Sequence, residues 1–270
     1  MADTAPTTKK YGWKPDLPDH RDLKYGAPSF GATPLPALVD LRKSCPAVYN
    51  QGRIGSCTAN AIAGAIEFDV LKQKFKDYMP SRLFIYYNER VMERTIMTDS
   101  GAMIRDGIKS VANQGVCTEV DWPYSDTPAD PTTDLWPANA RPAMRPPQTC
   151  YTKALTHKVS KYLSVSQNLS QLKGCLAEGY PIVFGFSVYE SFESDTVART
   201  GTVNMPTSSE SMLGGHAVLC VGYDDSKSRF IVRNSWGTNW GASGYFTMPY
   251  DYLVSRDLAS DFWTIRTVVG

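Results

Sequence analysis

Four polar side chains in this sequence have the types and settings that nucleophilic acyl chemistry needs. Cys57 lies in Asn50-Gln51-Gly52-Arg53-Ile54-Gly55-Ser56-Cys57-Thr58, where a glycine-punctuated loop runs into a stretch of small residues. Behind it Ile62, Ile66 and Val70 recur at helical spacing, as do Ala61, Ala65 and Phe68, so a long buried helix is predicted from Ser56 or Cys57. A thiol at such a start faces the positive end of the helix dipole, which favours the thiolate, the nucleophilic form. A buried structural thiol fits the same loop, because free cysteine is among the most buried residue types. Partners elsewhere in the chain decide between the two.

A nucleophilic thiol needs a base, a group that orients the base, and donors for the developing oxyanion. His20 sits in a proline-rich N-terminal stretch and His157 in a polar one. His216 follows Gly214-Gly215 and opens the apolar run Ala217 to Tyr223, a rigid mount at the mouth of a buried strand. Asn234 ends another apolar run, and its side-chain oxygen can accept from an imidazole. Trp236 can shield that bond from water, with Trp240 four residues on. A plain Asn/Gly hairpin turn would need neither tryptophan. Gln51 can aim its amide NH₂ at an oxyanion, and the Cys57 N–H supplies a second donor.

The positioning elements divide the chain. Residues 1–38 hold six prolines and no helical period, yet Trp13, Leu17, Tyr25 and Phe30 argue that part of the stretch packs on something. A short strand is expected at Leu38 to Leu41, the Cys57 helix next, then a helix capped by Ser81, then one over Met103 to Asn113 stopping at Gly115. Seven prolines in residues 121–149 mark a stiff irregular crossing. Strands are expected at 159–165, 182–188, 217–223, 230–233, 245–248 and 262–268, with a short helix over 170–177 started by Asn168. Residues 189–212 read as a polar, mobile surface loop.

The chain has 270 residues and a formal net charge of +1, which argues for neither nucleic acid nor an anionic membrane as partner. No apolar run approaches the roughly 20 residues that span a bilayer. The first ten residues hold no signal-peptide core, leaving cytoplasm and secretion both open. Cys45, Cys57, Cys117, Cys150, Cys175 and Cys220 are too widely spaced for a zinc ribbon or CxxC motif. Cys117 and Cys150 can pair, but connectivity stays open. No cofactor or metal is expected.

The runs Gln51…Gly55-Ser56-Cys57, Gly215-His216-Ala217 and Asn234-Ser235-Trp236-Gly237…Trp240-Gly241…Gly244-Tyr245 resemble the papain-like cysteine peptidases, in that family's order of Gln, Cys, His and Asn. The details around Cys57 and Ser81-Arg82-Leu83-Phe84-Ile85-Tyr86-Tyr87-Asn88-Glu89-Arg90 resemble its bacterial branch. Cys57 and His216 lie 159 residues apart, slightly beyond the family's usual roughly 130–150, an excess that residues 189–212 can absorb. Ile54 stands where animal and plant members often carry a cysteine, and Thr58 replaces the usual aromatic; neither removes a catalytic group.

The resemblance implies an α+β papain-like two-lobe fold, with a helical left lobe, an antiparallel β-barrel-like right lobe and the cleft between them. The implied limits are 39–125 for the mainly helical lobe, 126–149 for the crossing and 150–270 for the mainly β lobe. It implies peptide hydrolysis: a Cys57 thiolate paired with a His216 imidazolium, oriented by Asn234, with Gln51 at the oxyanion. Ser100 and Gly101 resemble the stretch that bonds the substrate backbone. Gly214 and Gly215 stand where bulkier residues often line a side-chain pocket, so a roomy, mostly apolar pocket is expected. Residues 1–38 are too short for the usual helical prosegment and are expected to be an extended cover over the cleft, making the chain a partly occluded endopeptidase and a monomer. Alternatives are a silent peptide-binding relative, or an acyl transferase or deamidase on the same triad.

Overall fold

A computed structural model describes residues 10–26 and 34–269. After a two-residue strand β1 (Lys24–Tyr25) and β2 (Leu38–Asp40) come three helices: α1 (Cys57–Lys72), α2 (Arg82–Glu93) and α3 (Ile104–Gln114). Every residue of α1 from Cys57 to Val70 is buried, including Glu67 and Asp69, so this helix is the central rod of the molecule. Ser81 caps α2 by accepting from the Phe84 N–H at 3.2 Å, and α3 ends at Gly115, whose φ of 78° suits glycine. α1 starts at its expected Cys57, α2 starts after its expected Ser81 cap, and α3 starts and ends within a residue of its sequence-predicted limits.

The second half adds α4 (Gln148–Ala154), β3 (Val159–Val165), α5 (Leu169–Ala177), β4 (Ile182–Tyr189), α6 (Asp195–Thr200), β5 (Met212–Asp224), β6 (Arg229–Arg233), β7 (Tyr245–Pro249), α7 (Tyr250–Val254) and β8 (Ala259–Val268). One eight-stranded sheet runs β1-β3-β8-β4-β5-β6-β7, with β2 on β5. Its pairs are antiparallel except β1 on β3, and its path does not close. Asn168 caps α5 through a bond from the Gln171 N–H at 3.0 Å.

Period-2 alternation splits the sheet between two cores. Val183, Leu219, Val221, Trp263 and Ile265 pack with α1, while Phe184, Phe186, Val218, Cys220 and Phe262 pack on the opposite side. The fold is therefore α+β, with α1 lying along one face of the sheet. Residues 189–212 depart from the sequence reading. They carry a 3-10 turn over Glu190–Glu193 and the helix α6, anchored by buried Phe192 and Val197. Composition hid this, because two apolar anchors among many polar residues do not register as periodicity. All six cysteines are free thiols, Cys117 and Cys150 included.

Candidate active site

Cys57 is the first residue of α1 and fully buried. Burial pushes its thiol up to about 12, against the pull of the Ala217 and Gly12 N–H groups beside the sulfur. Ala217 lies on β5, directly after His216. The Cys57 sulfur therefore faces the backbone that carries the imidazole.

His216 is buried on β5, opposite Phe186 of β4 in register. Its Nε2 lies 2.8 Å from Asn234 Oδ1. The Ser235 N–H also donates to Asn234 Oδ1 at 2.8 Å, which fixes that atom as the oxygen and makes Nε2 the donor. Trp236 stacks on the imidazole at a centroid distance of 5.0 Å and 28°, and Trp240 meets Trp236 edge-on at 5.1 Å. Phe192 closes the same cluster, 5.4 Å from Trp236 and 5.5 Å from Trp240. Both tryptophans thus stand where the sequence reading wants a shield, and Phe192 is a third member that it missed.

Gln51 is buried and tied to the Asn234 loop. Its N–H donates to Ser235 O at 2.8 Å, and Ser235 Oγ donates to its Oε1 at 2.6 Å. This turns Nε2 the other way, to the carbonyl oxygens of Ile54 at 3.1 Å and Lys10 at 3.2 Å.

Lys10 belongs to the N-terminal stretch, which runs along the site. The Trp13 N–H donates to Gly215 O at 2.9 Å, the Ala102 N–H to Gly12 O at 2.7 Å, and the Lys14 N–H to Ala102 O at 3.0 Å. Gly12 sits so close that a Cβ there would fall 1.8 Å from Gly55 O. Trp13, 8% exposed, fills the space over Gly185 and Gly215, where added Cβ atoms would meet Trp13 atoms at 1.9 and 2.5 Å. Its indole N–H donates to Asp261 Oδ2 at 3.0 Å. Tyr11 lies over Gly214 and donates its O–H to Glu193.

Beyond Trp13 the stretch is anchored by charge. Asp261 also accepts from the Asp16 N–H at 2.8 Å, and Asp16 accepts from Trp263 Nε1 and the Arg105 N–H, both at 3.0 Å. Burial, then the facing Asp261 carboxylate, holds Asp16 above the usual carboxylate range. Arg105 pairs with Asp22 at 2.6 Å and Lys14 with Glu93 at 2.6 Å.

The sequence-predicted residues divide accordingly. Cys57, His216, Asn234, Gln51, Trp236 and Trp240 converge on one site. Gly214 and Gly215 line it, facing Tyr11 and Trp13. Gly101 lies at its edge, and its N–H donates to the Tyr86 hydroxyl at 3.2 Å rather than to the N-terminal stretch. Ser100 Oγ is buried without a hydrogen-bond partner. Ala102 makes the backbone ladder instead, and backbone groups leave no signature in a residue string. Gly185 and Asp99 were also missed; both act across long sequence separations. Among the described residues no group of side chains could hold a metal ion, and no helix is long and apolar enough to cross a membrane.

The family profile described as papain family cysteine protease matches residues 35–260. The chain belongs to this family. The crystal structure of xylellain, a cysteine protease from Xylella fastidiosa, superposes with a TM-score of 0.91 at 48% identity, covering 99% of each chain. An uncharacterized peptidase C1-like protein of Acanthamoeba polyphaga mimivirus is 42% identical over 98% of this chain and 89% of its own length. Digestive cysteine proteinase 1 of Homarus americanus is 31% identical over 86% of this chain and 68% of its own length. The papain-like α+β two-lobe fold expected from the motifs is borne out.

Proposed function

We propose that this papain-family cysteine protease hydrolyses internal peptide bonds with Cys57 as nucleophile. The observation that carries the reading is the Cys57 sulfur at the start of α1, against the N–H of Ala217, the residue next to His216, whose Nε2 is fixed by Asn234. With Nε2 so engaged, proton exchange with the thiol falls to Nδ1. Transfer of the thiol proton to His216 gives a thiolate–imidazolium pair. The sulfur attacks the peptide carbonyl, and the Gln51 amide and the Cys57 N–H stabilise the oxyanion. His216 returns its proton to the leaving amine, and water, deprotonated by His216, releases the acyl-enzyme. Trp236, Trp240 and Phe192 keep water from the His216–Asn234 bond.

We further read residues 10–16 as a cover that holds the site closed. Lys10 places a carbonyl on the Gln51 amide, Gly12 a backbone N–H on the Cys57 sulfur, and Trp13 an indole on Gly185 and Gly215. A substrate backbone then takes the Gly12 and Trp13 places on Ala102 and Gly215. Its side chain enters the apolar space that Trp13 vacates, floored by Gly185, Gly214 and Gly215, with Ser100 and Gly101 at the rim. The lobes expected over 39–125 and 150–270 are read as the two walls, joined by 126–149.

The test is hydrolysis of a fluorogenic peptide library by the full chain, with Cys57→Ala as control. Cleavage lost on Cys57→Ala supports the reading. Peptide binding without turnover, equal in both proteins, would replace it with a recognition role. Release of ammonia or acyl transfer without chain cleavage would replace it with a deamidase or transferase.

A further inference from the structure

One buried carboxylate joins the loop before Cys57 to the stretch that carries Ala102. Asp99 is 1% exposed, and its two oxygens accept from the Gly55 N–H at 3.0 and 3.1 Å. The Tyr86 hydroxyl, from α2, donates to Asp99 Oδ1 at 2.5 Å and accepts from the Gly101 N–H at 3.2 Å. Since all six cysteines are free thiols, no disulfide makes this link. Gly55 lies two residues before Cys57 and one after Ile54, whose carbonyl takes the Gln51 amide. Gly55 has no side chain of its own to anchor it. A shift of Gly55 therefore carries both proposed oxyanion donors with it.

We propose that Asp99 is a positioning residue for the oxyanion site, holding Gln51 and the Cys57 N–H in register through Gly55, and the Ala102 stretch through Tyr86. The proposal rests on the peptidase reading above. An asparagine of the same shape cannot replace the carboxylate. It has one acceptor oxygen: at the Oδ1 place it keeps the Gly55 and Tyr86 donors but turns its NH₂ toward the Gly55 N–H and the Lys10 ammonium, which face Oδ2 at 3.1 and 3.4 Å, and at the Oδ2 place it turns its NH₂ toward the Tyr86 O–H. Leaving a buried donor without an acceptor is costly, so the loop moves instead. Displacements of about 1 Å at a reacting centre can cost on the order of a hundredfold in rate.

The experiment uses the full chain carrying Trp13→Ala, which loosens the N-terminal stretch, as parent. Asp99→Asn and Tyr86→Phe are added singly. Three quantities are read: kcat, KM, and the alkylation rate of Cys57 by iodoacetamide, a reaction that passes through no oxyanion. For Asp99→Asn a fall in kcat of about ten- to a hundredfold is expected, with alkylation within about threefold of the parent. Tyr86→Phe keeps the Gly55 bond and loses the Gly101 bond, so KM rises more than kcat falls. Should Asp99→Asn fail to fold, Tyr86→Phe decides by that split. The proposal is overturned if kcat stays within twofold in both variants, or if kcat and alkylation fall in step, as for a merely structural residue. Turnover in the parent that Asp99→Asn leaves unaltered removes this proposal alone. No turnover in the parent removes the peptidase reading and this proposal with it.

Discussion

The carbonyl oxygen of Lys10 accepts a hydrogen bond from Gln51 Nε2 at 3.2 Å. The side-chain amide assigned to an oxyanion is thus already engaged by the chain's own backbone. Two residues on, Gly12 lies against the Cys57 sulfur, and the neighbouring Trp13 fills the space over Gly185. The consequences of this arrangement are separable by substitution.

Gly12→Ala adds a single methyl group where a Cβ would fall 1.8 Å from Gly55 O. Backbone cannot yield as a flexible side chain does, so the N-terminal stretch lifts from Cys57 while every residue of the site is kept. Alkylation of Cys57 and peptide turnover are both expected to rise at least about tenfold, because a docking loss of about 1.4 kcal/mol is already a tenfold population shift. Unchanged rates in the folded variant would show that residues 10–16 do not limit access.

Trp13→Ala removes a large buried side chain and its hydrogen bond to Asp261. Truncations of this size cost about 3–5 kcal/mol in packed cores. The stretch should then exchange freely, and trypsin should cut at Lys10 far faster than in the wild type. Mass spectrometry of the early fragments checks this; equal cleavage rates would contradict it.

Much of this was legible from residue types. The Cys57 helix, the Ser81 and Asn168 caps, the Gly115 stop and the His216 strand follow from periodicity and local chemistry, which act over a few residues. Trp13 announced itself because an aromatic in a proline-rich stretch needs something to pack on. The contacts that hold it did not, because the Asp16–Asp261 and Arg105–Asp22 pairings join distant segments. Asp99 was invisible for the same reason: its partner is a glycine N–H. Phe192 was hidden inside a polar composition, and β1 is two residues long, too short for any period. Phe30 lies outside the described residues.

Asn234→Ala removes the acceptor that holds His216 Nε2. The imidazole can then turn, and the proton is no longer presented to the leaving amine. A fall in kcat of about ten- to a hundredfold is expected, in the range that general acid–base catalysis supplies. KM and the thermal midpoint should change far less. A KM effect with kcat intact would assign Asn234 to substrate binding instead.

Docking of the N-terminal stretch should weaken as pH rises. Asp16 and Asp261 are both held above the usual carboxylate range, chiefly by burial, and Cys57 is held protonated by burial. Arg105, the cation facing the pair, stays charged throughout and offsets the effect only in part. Acids with a higher pKa in the docked state bind protons more tightly there. They favour docking at low pH, and that contribution fades as pH rises through the raised values. The turnover ratio of wild type to Trp13→Ala should therefore climb from about pH 5 to about pH 8, and Asp261→Asn should flatten the climb. A ratio that falls with pH would contradict the assignment.

The central claim is that Cys57, and no other thiol, attacks an acyl carbon with His216 as its base. Its most direct measurement is intact-mass and peptide mapping after exposure of the full-length Trp13→Ala protein to a peptidyl chloromethyl ketone. One adduct is predicted, located on Cys57, absent in Cys57→Ala and slowed at least about tenfold in His216→Ala. An adduct on half-buried Cys45, or labelling of Cys57 at the same rate without His216, would contradict it.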